Sequence, residues 1–244
     1  MLTLYIHVPY ASFRKSYARS FGETYPLPPP ATVYGMLLSL VGECFRARHS
    51  GVRLAFAYKC RRRDIGCGER CLPPIASTLR KLSRFKYGVG GKEGAKPDYI
   101  ETVCGIEFLC WVDSSDETRA KSCLTRSERE GQLSLEDRIA LALSSPHTVN
   151  RHGVLCLGLS DDGVNDVSIC HRVEGAWHRL LPTNNGSIEL PRWVDHVGSR
   201  WTRWQRYEFE PTSSTLQTLP GEAGWFWTRI VDPRINEKLS SQHG

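Results

Sequence analysis

Residues 2–43 read LTLYIHVPYASFRKSYARSFGETYPLPPPATVYGMLLSLVGE, and the change of period inside them decides the fold. Leu2, Leu4, Ile6 and Val8 alternate with Thr3, Tyr5 and His7, the two-residue period of a half-buried strand. A polar, basic loop follows and runs into Pro28, Pro29 and Pro30, which stop the extended chain. Beyond them Val33, Leu37, Leu40, Val41 and Cys44 fall on one helical face, with Thr32 placed as the N-cap. The opening is therefore a strand, a basic loop and a helix.

Working outward, Val52, Leu54, Phe56 and Tyr58 alternate with Arg53, Ala55, Ala57 and Lys59 as a second strand, and Ile106, Phe108, Cys110 and Val112 mark a third. Ser134 with Asp137 forms a capping-box pattern ahead of Leu135, Ile139, Ala142 and Leu143, so a second helix runs to about Ser144 and stops before Pro146. GVLCLGL at 153–159 is expected as the fourth strand. The order βαββαβ predicts an α+β protein of the ferredoxin-like or RNA-recognition class, with both helices on one face of an antiparallel sheet. That domain spans 1–160 and carries a long insertion over about 60–105, far more than a hairpin needs. Residues 161–244 hold six of the seven tryptophans and an Asn184-Asn185-Gly186 turn, and are expected as a small β-rich region or an extension of the sheet.

Charge separates the insertion from the rest. Between Lys59 and Lys96 lie eleven bases against three acids, so this segment carries +8 of a total of +6 and the remainder is −2. A polyanion would feel one arm of the molecule. Phe85 and Tyr87 alternate with Arg84 and Lys86, offering rings to bases and cations to phosphates. No run approaches a membrane span, and MLTLYIHVPY lacks the pattern of a signal peptide, so a cytoplasmic protein is expected. Nine cysteines, an odd number, argue against a disulfide framework.

The chemistry-bearing motifs are few. GVGGKEG at 88–94 lacks the Ser or Thr and the first glycine of a phosphate loop, and reads as a flexible hairpin tip. Cys60, Cys67 and Cys71 have C-x6-C-x3-C spacing, unlike paired zinc ligands, so free thiols are expected and no metal or cofactor. The run Arg200, Trp201, Arg203, Trp204, Arg206, Tyr207 interleaves cations with rings and suits either a binding face or core anchors. Arg151 and His152 near Tyr34 make the best ribonuclease constellation available, and no catalytic motif supports it.

The N-terminal stretch and HGVLCLGLSDDGVNDV at 152–167 resemble the CRISPR-associated family five subunits of type I Cascade, a branch of the repeat-associated RNA-binding superfamily, closest to the myxobacterial-type systems; Leu159 stands where the family's LYLGRS region has Arg. The resemblance implies an RNA-recognition core with a β-hairpin thumb that holds the 5′ handle of the guide crRNA, caps the backbone filament, contacts the large subunit and meets target DNA through the complex. It puts the thumb at about Arg80 to Val103 and the handle near Ser12, Phe13, Arg14, Tyr17, Arg19, Thr32, Tyr34 and Gly35. With Arg80, Lys81, Arg84, Phe85, Lys86, Tyr87, Lys92, Lys96 and Arg151 these are the expected RNA contacts. One branch of the family cuts precursor RNA with a Tyr and a Lys-His pair; no Lys-His dipeptide occurs here, so a non-catalytic binder is expected, with a metal-independent endoribonuclease as the alternative. The resemblance fits complexes that recruit a nuclease and complexes that guide transposition alike.

Overall fold

The structure, a computed structural model, describes residues 1–15, 22–59, 72–86, 93–117, 133–151, 153–198, 200–215, 219–222 and 224–234, with backbone only at 80–86, 93, 95, 96, 98 and 211–215. In chain order come β1 (Leu2–Ala11), α1 (Pro30–Leu40), β2 (Arg53–Lys59), β3 (Ile75–Lys86), β4 (Glu93–Asp113), α2 (Leu135–Ser144), β5 (Asp166–Ile169), β6 (Ala176–Pro182), β7 (Ile188–Trp193), β8 (Arg203–Thr215) and β9 (Thr228–Arg229). One antiparallel sheet holds every strand, in the order β5-β1-β4-β2-β6-β8-β7, with β3 paired to β4 and β9 to β2. The C-terminal third thus continues the sheet from β2 through β6.

The alternation at the start of the chain does what the period requires. Leu4, Ile6 and Val8 are fully buried, and they share the larger core with Val33, Leu37 and Leu40 of α1 and Leu135, Ile139 and Ala142 of α2. At α2 the Ser134 hydroxyl accepts the Asp137 N–H at 3.1 Å, the expected cap. On α1 the cap is different from the expectation: the helix begins at Pro30, Pro29 is the N-cap, and no side chain caps it. A proline's fixed φ and missing N–H suit the first helical position, so the proline run starts the helix two residues before Thr32. Cys44, placed by period on the buried face, is exposed because the helix ends at Leu40.

β2 is buried on both faces, where its pattern predicted one. Leu54, Phe56 and Tyr58 face the larger core, while Ala55 and Ala57 lie in a second one with Leu109, Trp111, Trp177 and Trp225. Alanine leaves the room that the indoles fill.

The fourth strand also sits elsewhere. Residues 153–159 form a bent loop with one isolated bridge, Cys156 to Gly163, and β5 supplies the strand that pairs with β1, Leu4 opposite Ile169. Gly153 and Gly158 have φ of +80° and +113°, outside the range of a strand. The fully buried Asp162 carboxylate accepts the N–H groups of Ser12 and Leu159 at 2.7 and 2.9 Å, which folds the loop onto the end of β1.

Within the insertion, the described residues of β3 and the outer part of β4 pair antiparallel. β4 runs 21 residues; its second half pairs with β1 and β2, and from Val103 back to Glu93 it pairs with β3. The register shifts between Leu79 and Lys81, so Arg80 is the extra residue of a bulge.

Candidate nucleic-acid interface

The basic loop after β1 is stitched to the base of the β3–β4 arm. Gly22 bridges Ile100 in parallel: its N–H donates to the Tyr99 carbonyl at 3.3 Å, and the Glu101 N–H donates to the Gly22 carbonyl at 2.9 Å. A Cβ on Gly22 would lie 2.9 Å from the Ile100 side chain, so the approach needs glycine. The Thr24 N–H adds a bond to the Glu101 carboxylate at 3.0 Å. Hydroxyls of Ser12, Thr102 and Thr78 form a ladder at 3.1 and 2.9 Å from β1 across to β3. The ends of the loop after β1 and the base of the arm therefore meet at one place.

The expected contact residues divide by burial. Ser12 and Phe13 are 1% and 3% exposed and belong to the framework, so Phe13 offers no ring to a base. Tyr34 is fully buried and its hydroxyl donates to the Arg46 carbonyl at 2.6 Å. Burial, and next the charge of Glu117, push that phenol above the ordinary tyrosine range. The resemblance that names these three carries no information on burial, which the packing of the strand and helix decides. Arg14 and Arg151 are exposed, and Thr32 and Gly35 are half-buried. The backbone of Arg80, Lys81, Arg84, Phe85 and Lys86 occupies the outer part of β3, with Lys96 opposite Ser83. Tyr17, Arg19, Tyr87 and Lys92, and Cys60, Cys67 and Cys71, lie outside the described residues. At the helix start the Thr32 and Val33 N–H groups both bond to the Pro29 carbonyl.

Thr32, Gly35 and Arg151 line one cleft of about 580 Å³, together with Ser39, Arg46, Asn150, Gly158, Val194 and His196. The Arg46 guanidinium lies 4.7 Å from the Trp193 ring centre and donates to the Val194 carbonyl at 2.8 Å. Arg46, Asn150 and His196 were not expected there; the only sequence signals were the glycines at 42 and 158, which mark close backbone approach. Behind the cleft lies a buried ionic chain. Arg138 donates to Glu43 at 2.7 Å and to His49 Nε2 at 2.9 Å, and His49 Nδ1 meets Glu117 at 2.6 Å. Because arginine only donates, Nε2 accepts and His49 carries its proton on Nδ1 for Glu117. Burial pushes the Glu43 carboxyl up, but Arg138, the Phe45 N–H and Arg48 together hold it below its ordinary value. Among the described residues no three His, Cys, Asp or Glu side chains cluster as metal ligands.

The Trp/Arg run divides too. Tyr207 is fully buried, whereas Trp204 is 40% exposed and Trp201 is half-buried. Among the described residues no helix is long and apolar enough to cross a membrane.

No family model matches the chain. A CRISPR-associated protein Cas5 of Myxococcus xanthus (strain DK1622) is 37% identical over 227 residues, covering 90% of this chain and 96% of that protein. Among solved structures, a chain of a CRISPR RNA-guided surveillance complex superposes with a TM-score of 0.51 at 14% identity, covering 92% of this chain and 95% of that one. A crystal structure of a Cas protein gives a TM-score of 0.45 at 12% identity, covering 86% and 93%. With identity of this size along nearly the full length of both sequences, the chain belongs to the Cas5 family of CRISPR-associated proteins.

Proposed function

We propose that this chain is the subunit of a type I Cascade that holds the 5′ handle of the guide crRNA, caps the backbone filament and contacts the large subunit, working in the cytoplasm and meeting target DNA through the complex. The observation that carries this reading is the joining of the basic loop to the base of the basic arm through Gly22 and Ile100. Family membership and the likeness to a surveillance-complex chain support it. In this reading β5-β1-β4-β2 with the two helices is a ferredoxin-like core, and β3 with the outer half of β4 is its thumb. Single-stranded RNA is read by stacking and by exposed base edges, for which a hairpin rich in lysine and arginine is suited.

The same reading makes the subunit a binder without nuclease activity. Its support is the Tyr34 hydroxyl, buried and already donated to the Arg46 carbonyl. The test is equilibrium binding of handle RNA to the full chain across a salt series, run alongside incubation with precursor RNA in EDTA. If about four phosphates are neutralised, log affinity falls against log salt with a slope near −3. The RNA stays intact. An affinity indifferent to salt, or a discrete cut lost in Tyr34→Phe, defeats the proposal.

A further inference from the structure

The β7–β8 turn has a chemistry of its own. The Trp201 indole lies between two guanidiniums, with Arg200 4.9 Å and Arg203 5.7 Å from its ring centre. Arg203 is held by backbone, donating to the carbonyls of Arg200 at 3.3 Å and Thr202 at 3.1 Å. Nearby, Arg206 of β8 is matched with Glu189 at 3.6 Å and Arg179 of β6 with Glu210, while Arg192 of β7 donates to the Arg229 carbonyl at 3.5 Å. Among the described residues neither Arg200 nor Arg203 has an acidic partner. Asp195, the one acid of the turn, engages the N–H groups of Val197 and Trp201 instead. Two cations thus lie beside one indole, and among the described residues neither is paired with an acid.

The turn is also joined to the surfaces already described. Trp204 meets Tyr25 with ring centres 6.0 Å apart, and Tyr25 closes the basic loop by donating its N–H to the Phe13 carbonyl. His196, on the other side of the turn, lines the cleft with Arg46 and Arg151. The turn therefore adjoins the loop at the arm's base through Trp204 and the cleft through His196.

We propose that Arg200, Trp201, Arg203 and Trp204 form a second contact for single-stranded nucleic acid, separate from the arm. A flexible polyanion with a flat ring at every link matches this alternation: its phosphates meet the guanidiniums while a base stacks on the exposed face of Trp204. An acidic protein would use the charges and leave the indole idle. The inference goes beyond handle binding, and it stands whichever strand the arm grips.

The experiment measures binding of fluorescein-labelled dodecamers of uridine and of thymidine to the full chain and its variants. Trp204→Ala weakens binding by about 5- to 150-fold, the range for loss of one stacked base, and Trp204→Phe, which keeps a ring, recovers most of it. Arg200→Ala with Arg203→Ala makes the salt slope shallower by about 1.4, two phosphate contacts' worth on a single strand. Tighter binding of the RNA places the guide on this turn, and tighter binding of the DNA places a displaced strand there; both support the contact. Wild-type affinity in both turn variants overturns it. So does a Trp204→Phe variant as weak as Trp204→Ala, which makes the ring a packing element, or loss of protein partners with nucleic-acid affinity intact. Lys81→Ala with Arg84→Ala tests the arm separately, so the two proposals fail independently.

Discussion

Gly42, just past the end of α1, has φ of +66°, and a Cβ there would lie 2.4 Å from the Asn150 carbonyl oxygen. Gly42→Ala must therefore strain its own backbone and push away the strand of chain that carries Arg151. Such a substitution costs about 1–3 kcal/mol, to be read from urea unfolding, and it widens the cleft. Next to it, Glu43 is held below its ordinary value of 4.5, and Glu117 likewise: there burial pushes the carboxyl up, and His49, the Leu135 N–H and Ser114 more than offset it. A carboxylate whose folded value is depressed contributes stability that is complete above the unfolded value and is lost as pH falls through the folded one. Burial holds the His178 imidazole below its ordinary value, so the urea midpoint already begins to fall between neutrality and about pH 5; below that the two carboxylates steepen the fall, and Glu43→Gln lowers the midpoint at neutrality and flattens that acid limb. Little of this was legible in the sequence. Phe13, Tyr34 and Thr32 were placed by position in a pattern, whereas burial and capping depend on which neighbours the tertiary structure brings.

At the scale of elements, strong periodicity was a reliable guide. β1, β2 and α2 lie where alternation, helical spacing and the Ser134 cap put them, since each needs only local chemistry and one apolar face. The failure at 153–159 has a physical reason: GVLCLGL has the apolar content of a strand, but its glycines take positive φ, and Asp162 accepts the Leu159 N–H on its carboxylate and the Leu157 N–H on its carbonyl. The arm's charge was visible, but its seat against Gly22 was not, because a parallel bridge between residues 78 apart leaves no local signature. Since β3 and the outer half of β4 pair with each other, the arm is separable from the sheet. Replacing residues 80–98 by Asn-Gly joins Leu79 to Tyr99, which already face each other. The variant is expected to melt within about 2–4 °C of the parent, equivalent to ~1 kcal/mol, by circular dichroism, and to lose affinity for handle RNA.

Over the whole molecule, the sheet is a partition between two unequal cores. The smaller is built on Trp225, fully buried, its ring 4.8 Å from that of Trp111 and nearly perpendicular to it. Trp225→Ala removes the centre of that core and costs about 3–5 kcal/mol, measured by urea unfolding, which is enough to test whether the C-terminal third is held to β2 chiefly by these rings. β2 itself lies between β4 and β6, and β9 caps its beginning at Arg53 and Leu54. During synthesis β2 leaves the ribosome more than a hundred residues ahead of β6. At roughly 5–20 residues per second, one flank of this strand stays open for several seconds or longer. A nascent chain in that state displays Leu54, Phe56 and Tyr58 beside an unzipped border, so its yield in the cell should be governed by how soon a chaperone shelters that border and by whether translation finishes before two such chains meet.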